Sequence, residues 1–146
     1  MLKGIPSVCS PELMKILLEM GHGDEIVIAD GNFPAANHAQ RLVTCSGTGV
    51  REVLDAVMQF FPLDTFTEDV VFLMAVVPGD PVKPLIWEDF KKIIAQYEMR
   101  DTDFKFLERN AFYERTKKAF AVIATSESAR YANIILKKGV VEADMV

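Results

Sequence analysis

The chain has 146 residues, 50% of them hydrophobic and 25% charged, which suits one compact domain over residues 1–146 with a real core. Its 21 acidic and 16 basic residues give a formal charge of -5 and a pI near 5.0, arguing against nucleic acid or an anionic membrane surface as a partner. Cys9 and Cys45 form neither a CxxC motif nor a zinc set, and Met1-Leu2-Lys3-Gly4 lacks the apolar core of a signal peptide. No apolar run approaches the ~20 residues of a membrane helix, so free thiols, no membrane partner and a cytoplasmic location are expected.

The first predicted helix starts at Ser10-Pro11-Glu12, where Ser10 caps, Pro11 fills the first turn and Glu12 meets the positive end of the dipole. Leu13, Ile16, Leu17 and Met20 then recur on one face, and Gly21 suits a left-handed helix end. Glu25-Ile26-Val27-Ile28-Ala29 reads as a strand buried on both faces, ending at Asp30. Residues 31–40 read as a loop and Arg41 to Cys45 as a strand. Val50 to Phe61 has helical apolar spacing and stops before Pro62. Val70 to Val77 is expected as a central strand, followed by a Pro78-Gly79-Asp80-Pro81 turn and an amphipathic helix from Trp87 to Tyr97. A strand at Phe104 to Leu107, a helix from Asn110 to Lys118, and strands at Phe120 to Ala124 and Ile134 to Leu136 complete the chain. This alternation predicts a three-layer α/β/α domain with a mixed, mostly buried sheet, since the final strands are too close in sequence for full helical crossovers.

His22, one of two histidines, sits between Gly21 and Gly23 where a helix gives way to a strand. It either completes the helix end or presents an imidazole for proton transfer near neutral pH, with Asp24 available to orient the ring. Asp30 ends a buried strand, where open α/β sheets place ligand crevices, or simply forms the turn before Gly31. His38 has no partner at metal-ligand spacing and reads as a surface residue. Arg109 and Tyr113 share a face if the helix reaches back to Arg109; otherwise Arg109 pairs with a surface carboxylate and Tyr113 packs with Phe112. In an extended Tyr131-Ala132-Asn133, the phenol and amide point to one side and suit sugar hydroxyls. GxGxxG, Walker A, HExxH and GxSxG motifs are missing, which leaves groups able to move protons on a neutral polar ligand without a cofactor.

Several segments resemble one family in order along nearly the whole chain. They are Ser10-Pro11-Glu12-Leu13, Met20-Gly21-His22-Gly23-Asp24-Glu25-Ile26, Asp30 with Asn32-Phe33-Pro34-Ala35, and Leu63-Asp64. Phe112-Tyr113-Glu114-Arg115, Lys118-Ala119-Phe120-Ala121, Tyr131-Ala132-Asn133-Ile134 and Lys137-Lys138-Gly139-Val140 continue the series. They are similar to the sugar mutarotases that comprise L-fucose mutarotases and D-ribose pyranases, and Phe-Tyr-Glu-Arg favours the fucose branch.

The resemblance implies an isomerase that interconverts the anomers of a free monosaccharide such as L-fucose, with no metal or cofactor. It implies a ring-shaped homo-oligomer, a decamer, with sites near subunit contacts. It assigns His22 and Tyr113 to proton transfer, and Asp30, Arg109, Tyr131 and Asn133 to sugar binding. Thr44-Cys45-Ser46-Gly47 departs from the Arg-Ala-Asp-Gly of relatives and removes two charges, which could alter sugar preference or subunit contacts. Two rivals stand beside this reading: a sugar-binding protein without turnover, and a metal-dependent hydrolase using His22, His38, Asp24 and Asp30.

Overall fold

A computed structural model describes residues 1–146. Six strands form one mixed sheet in the order β2-β5-β1-β6-β3-β4. These are β1 (Glu25–Ala29), β2 (Leu42–Cys45), β3 (Val71–Met74), β4 (Lys105–Leu107), β5 (Ala121–Thr125) and β6 (Ile134–Lys137). β1 pairs in parallel with β5, β5 with β2 and β3 with β4, while β6 runs antiparallel between β1 and β3. Five strands therefore point one way and β6 alone points back. Helices α1 (Pro11–Glu19), α3 (Val50–Met58) and α4 (Ile86–Tyr97) cover one face, and α2 (Ala35–His38) and α5 (Arg109–Lys118) cover the other.

The two faces explain the lack of alternation in the inner strands. Ile26 and Ile28 join the larger core with Leu13, Leu54 and Phe90, while Val27 and Ala29 join the smaller one with Phe33, Phe72 and Phe112. All four β1 residues Ile26–Ala29 are fully buried, each large side chain contributing about 1.5–3 kcal/mol relative to exposure. Edge strand β2 instead alternates, with Val43 and Cys45 inward and Leu42 and Thr44 outward. Cys9 and Cys45 are free thiols. No helix is long and apolar enough to cross a membrane.

α1 begins as its sequence dictates, with the Ser10 hydroxyl accepting from the Leu13 amide at 3.1 Å. Its end differs from the expectation: Met20 is already extended, Gly21 donates to the Asp24 carboxylate at 2.8 Å, and Gly23 takes the left-handed conformation at φ 85°. The Gly23 amide then reaches Lys138 O at 2.8 Å, which ties this turn to the end of β6. The 31–40 loop contains the four-residue helix α2, too short to leave a periodic signal. β3 is shorter than the apolar run and lies next to edge strand β4 rather than centrally. The run ends early because, after Ala75 donates to Leu107 O, a turn closes from Val77 O to Asp80 N with Gly79 at φ 89°. α5 does reach back to Arg109, because the Glu108 carboxylate caps the Ala111 amide at 2.6 Å.

Candidate functional site

At the carboxyl end of the parallel strands lies an open cavity of about 280 Å³, lined in part by Asp30, Arg109, Tyr113, Tyr131 and Asn133. Asn32, Phe33, Met74, Val77 and Arg130 complete its wall. The volume lies just below the ~300–1,000 Å³ of pockets for drug-sized ligands and suits a single sugar ring. β1 delivers Asp30, the β6 approach delivers Tyr131 and Asn133, and α5 places Arg109 and Tyr113 one turn apart.

Asp30 and Asn133 are locked together. The Asp30 amide donates to Asn133 Oδ1 at 2.8 Å, and Asn133 Nδ2 donates to Asp30 Oδ2 at 3.0 Å. Ala132 N also donates to Oδ2, and Asn32 N donates to Oδ1 at 3.0 Å. Burial pushes the Asp30 carboxyl above its ordinary range despite these donors, because desolvation of the charge outweighs them.

Tyr131 is the one non-glycine residue with positive φ, at 59°, so the segment turns there instead of running extended. Such a conformation costs roughly 1–3 kcal/mol and is held by its surroundings. Trp87 Nε1 donates to Tyr131 O at 2.9 Å, and the Tyr131 hydroxyl donates to Asp80 Oδ2 at 2.6 Å. Asp80 also pairs with Arg130 at 2.5 Å, and the Tyr131 bond leads the contacts that lower its carboxyl from the ordinary value. The Tyr131 phenol is thus engaged with Asp80 while its ring shapes the wall.

Arg109 is exposed on the rim and makes no ion pair in the chain, unlike the carboxylate-paired alternative. Tyr113 packs edge-on against Phe33 at 5.5 Å and against the His38 ring at 5.0 Å, not against Phe112, which is buried in the core. His38 is therefore not a plain surface residue: it is partly buried beside a pocket phenol, with Nδ1 bonded to Pro34 O at 3.0 Å. Within Phe112-Tyr113-Glu114-Arg115, Arg115 serves the fold. It grips both Glu25 carboxylate oxygens, at 2.9 and 2.5 Å, and lies over the Phe72 ring.

His22 is elsewhere. It precedes β1 whereas Asp30 follows it, so the length of a five-residue strand, about 3.3 Å per residue, separates them. Its ring is 44% exposed, and Nε2 lies 3.0 Å from Oδ1 of Asp64, a carboxylate that is only 2% exposed. Asp64, not Asp24, is the orienting partner; Asp24 is occupied with the Gly21 amide. Burial would raise the Asp64 carboxyl, but bonds from Phe66 N, His22 and Thr67 prevail and pull it to about 2. The exposed Phe66 ring lies 5.0 Å from the imidazole.

The residues of the rival metal site do not converge: His22 faces Asp64, Asp24 faces Gly21, His38 faces Pro34, and Asp30 faces Asn133. Thr44-Cys45-Ser46-Gly47 lies at the end of edge strand β2 and contributes nothing to the cavity wall. Sequence spacing gives no signal for Arg130, Asp80 and Trp87 around Tyr131, nor for a role of Asp64 beyond its place in a shared segment. These residues join their ends of the molecule through contacts 42 or more residues apart in the chain, which local spacing does not encode.

Comparison with known proteins fits this arrangement. The chain is 47% identical over 146 residues to the fucose mutarotase of Danio rerio, covering 96% of this chain and 94% of that protein. The structure of the Streptococcus pneumoniae fucose mutarotase in complex with L-fucose superposes with a TM-score of 0.92 at 47% identity, covering 97% of this chain and all of the other. Bacillus subtilis RbsD complexed with D-ribose is more distant, with a TM-score of 0.73 at 26% identity over 91% of this chain and 95% of that one. A family model described as the RbsD / FucU transport protein family matches residues 3–141, and the chain belongs to that family.

Proposed function

We infer that this protein is an isomerase that interconverts the α and β anomers of free L-fucose. The observation that carries the reading is the cavity walled by Asp30, Arg109, Tyr113, Tyr131 and Asn133, a sugar-sized pocket rich in neutral and charged hydrogen-bonding groups. Near-full-length similarity to fucose mutarotases of animal and bacterial origin supports the choice of sugar and reaction.

Mutarotation needs two proton transfers. One group removes the proton from the anomeric hydroxyl while the C1–O5 bond breaks and its electron pair moves to O5. A second group delivers a proton to O5. The open aldehyde turns about C1–C2, and the same steps in reverse close the ring on its other face. His22 and Tyr113 form the acid–base pair of this proposal, each contributing on the order of 10²–10⁴-fold. Asp30, Arg109, Asn133 and the Tyr131 wall hold the hydroxyls.

His22 and the pocket occupy opposite ends of one protomer's sheet, so the pair acts on one sugar only when His22 of the partner subunit covers the mouth of the pocket. The half-exposed imidazole and the exposed Phe66 beside it are the surface that such a contact would bury. A ring-shaped decamer in the cytoplasm, with no nucleic acid or membrane partner, completes the proposal.

Saturation-transfer NMR on α- and β-L-fucose tests it. The protein is expected to accelerate exchange in proportion to its concentration; saturable fucose binding with exchange at the solution rate would make it a binding protein instead.

A further inference from the structure

Asp64 has no place in the proton-transfer scheme, yet it is the most heavily anchored carboxylate near His22. Its Oδ1 accepts from Phe66 N at 3.1 Å and faces His22 Nε2 at 3.0 Å. Its Oδ2 accepts from Thr67 Oγ1 at 3.0 Å and lies 3.9 Å from Lys137 Nζ. The Asp64 amide donates to Lys137 O at 3.0 Å, and Arg100 donates to Asp64 O.

The backbone beneath it is fitted just as closely. A Cβ on Gly139 would meet Leu63 O at 2.5 Å and the Asp64 Cα at 3.0 Å, so only glycine lets the end of β6 pass this near. The bridge between Leu63 and Lys138, with Gly139 N on Pro62 O at 2.7 Å, fixes the approach.

An ionised carboxylate accepts hydrogen bonds and donates none, so the ring nitrogen that faces it must carry the proton. In the neutral imidazole that nitrogen is Nε2, and Nδ1 keeps its lone pair. Nδ1 makes no hydrogen bond within the chain, and the Phe66 ring lies 5.0 Å from the imidazole. We propose that Asp64 is a positioning residue that fixes His22 as the Nε2–H tautomer, making Nδ1 the atom that exchanges protons with the sugar. The inference rests on the mutarotase reading with His22 as a proton-transfer group. In the forward step Nδ1 takes the hydroxyl proton, and the resulting imidazolium keeps its Nε2–H bond to the Asp64 carboxylate. On reclosure Nδ1 returns the proton, so Asp64 is ionised throughout.

A purely structural Asp64, capping the turn at residues 64–67, would affect folding but not the tautomer. The test combines L-fucose exchange kinetics with ring nitrogen-15 spectra of the assembled protein by magic-angle-spinning NMR. With only His22 and His38 in the chain, His22→Ala assigns the signals. Wild type is expected to show protonated Nε2 and bare Nδ1 at neutral pH. Asp64→Ala is expected to lose the single tautomer and about 100-fold in kcat, with KM changed less than about threefold. Asp64→Asn retains an acceptor oxygen for Nε2–H and the Phe66 amide, and recovers much of the loss, staying within about tenfold of wild type.

Bare Nε2 in wild type, or full kcat in a folded Asp64→Ala or Asp64→Asn protein with a mixed tautomer, overturns the inference. Failure of the underlying reading looks different: undiminished exchange in His22→Ala removes His22 itself, whereas a dead His22→Ala beside a fully active Asp64→Ala removes only the role of Asp64.

Discussion

At the pocket end of the sheet, almost every polar group is already committed to another. Asp30 and Asn133 exchange hydrogen bonds, the Tyr131 phenol is on Asp80, and its carbonyl is on Trp87. The Arg109 guanidinium and the Tyr113 hydroxyl are left without a partner in the chain. At the opposite end a carboxylate is buried but the imidazole it holds is 44% exposed, beside a bare Phe66. The pocket wall is therefore fixed by bonds within one protomer, while at the histidine end the ring is held in direction by Asp64 and half of it faces outward. Under the proposed mechanism only the His22 half of the proton-transfer pair lies apart from the pocket, since Tyr113 is part of its wall.

The sharpest break in that comparison is His22→Ala, expected to lower fucose exchange by about 10³-fold while leaving fucose affinity, measured by calorimetry, within a few-fold. Asp30→Asn should do the reverse in emphasis. An amide facing the Ala132 N–H leaves a buried donor unsatisfied, so KM should rise at least about tenfold and stability fall by about 1–3 kcal/mol in urea titration. Co-assembling these two impaired variants is expected to restore exchange to about a quarter of wild type, the share of contacts that join an intact His22 to an intact pocket. No recovery after verified subunit mixing would place both halves in one protomer.

A smaller effect is expected from Trp87→Phe, which removes the bond to Tyr131 O and frees its left-handed backbone. Stability should fall by about 1 kcal/mol and fucose affinity severalfold, read by thermal unfolding and calorimetry.

Acid titration separates the two ends by sign. The Asp64 carboxyl is lowered from 3.8 to about 2, so its contribution to stability is complete above about pH 4 and is lost as pH falls towards 2. Asp30 is raised, so protonation through its elevated value favours the folded protein instead. Urea unfolding between pH 5 and 2 should therefore show a shallower acid loss in Asp64→Asn than in wild type. The smallest effect is expected from Thr44→Arg combined with Ser46→Asp, which adds two opposite charges outside the cavity; kcat/KM for L-fucose should move by less than about twofold.

Much of the fold is legible in the chain because its signals are local. The Ser10-Pro11 start and the apolar β1 run depend on neighbours within a turn or a strand, whereas the Glu108 cap that extends α5 back to Arg109 goes unread. The residues carried by resemblance, Asp30, Arg109, Tyr113, Tyr131 and Asn133, do meet in one cavity. What stays hidden depends on register and strand order. Asp24 is two residues from His22 and looks like its partner, but the backbone turn gives Asp24 to Gly21 and brings Asp64 across from a distant loop. The same cause moves β3 off centre: a wholly apolar run reports burial on both faces, not position in the sheet. Tyr131 shows a further limit, since nothing in Tyr-Ala-Asn signals a positive φ that Trp87 and Asp80 hold from elsewhere.

The single reversed strand links the two ends. β6 starts beside Asn133 at the pocket and finishes at Lys137, 3.9 Å from the Asp64 carboxylate, with β1 and β3 laced to its flanks. It sets a fixed spacing of four paired residues between the two ends, which share no direct contact. Unfolding free energies of paired substitutions at opposite ends should simply add, although their effects on turnover, sensed by one sugar, need not. On the proposed mechanism, substitutions around Asp64 and substitutions around Asp30 then meet only through the four residues of β6 and the sugar itself.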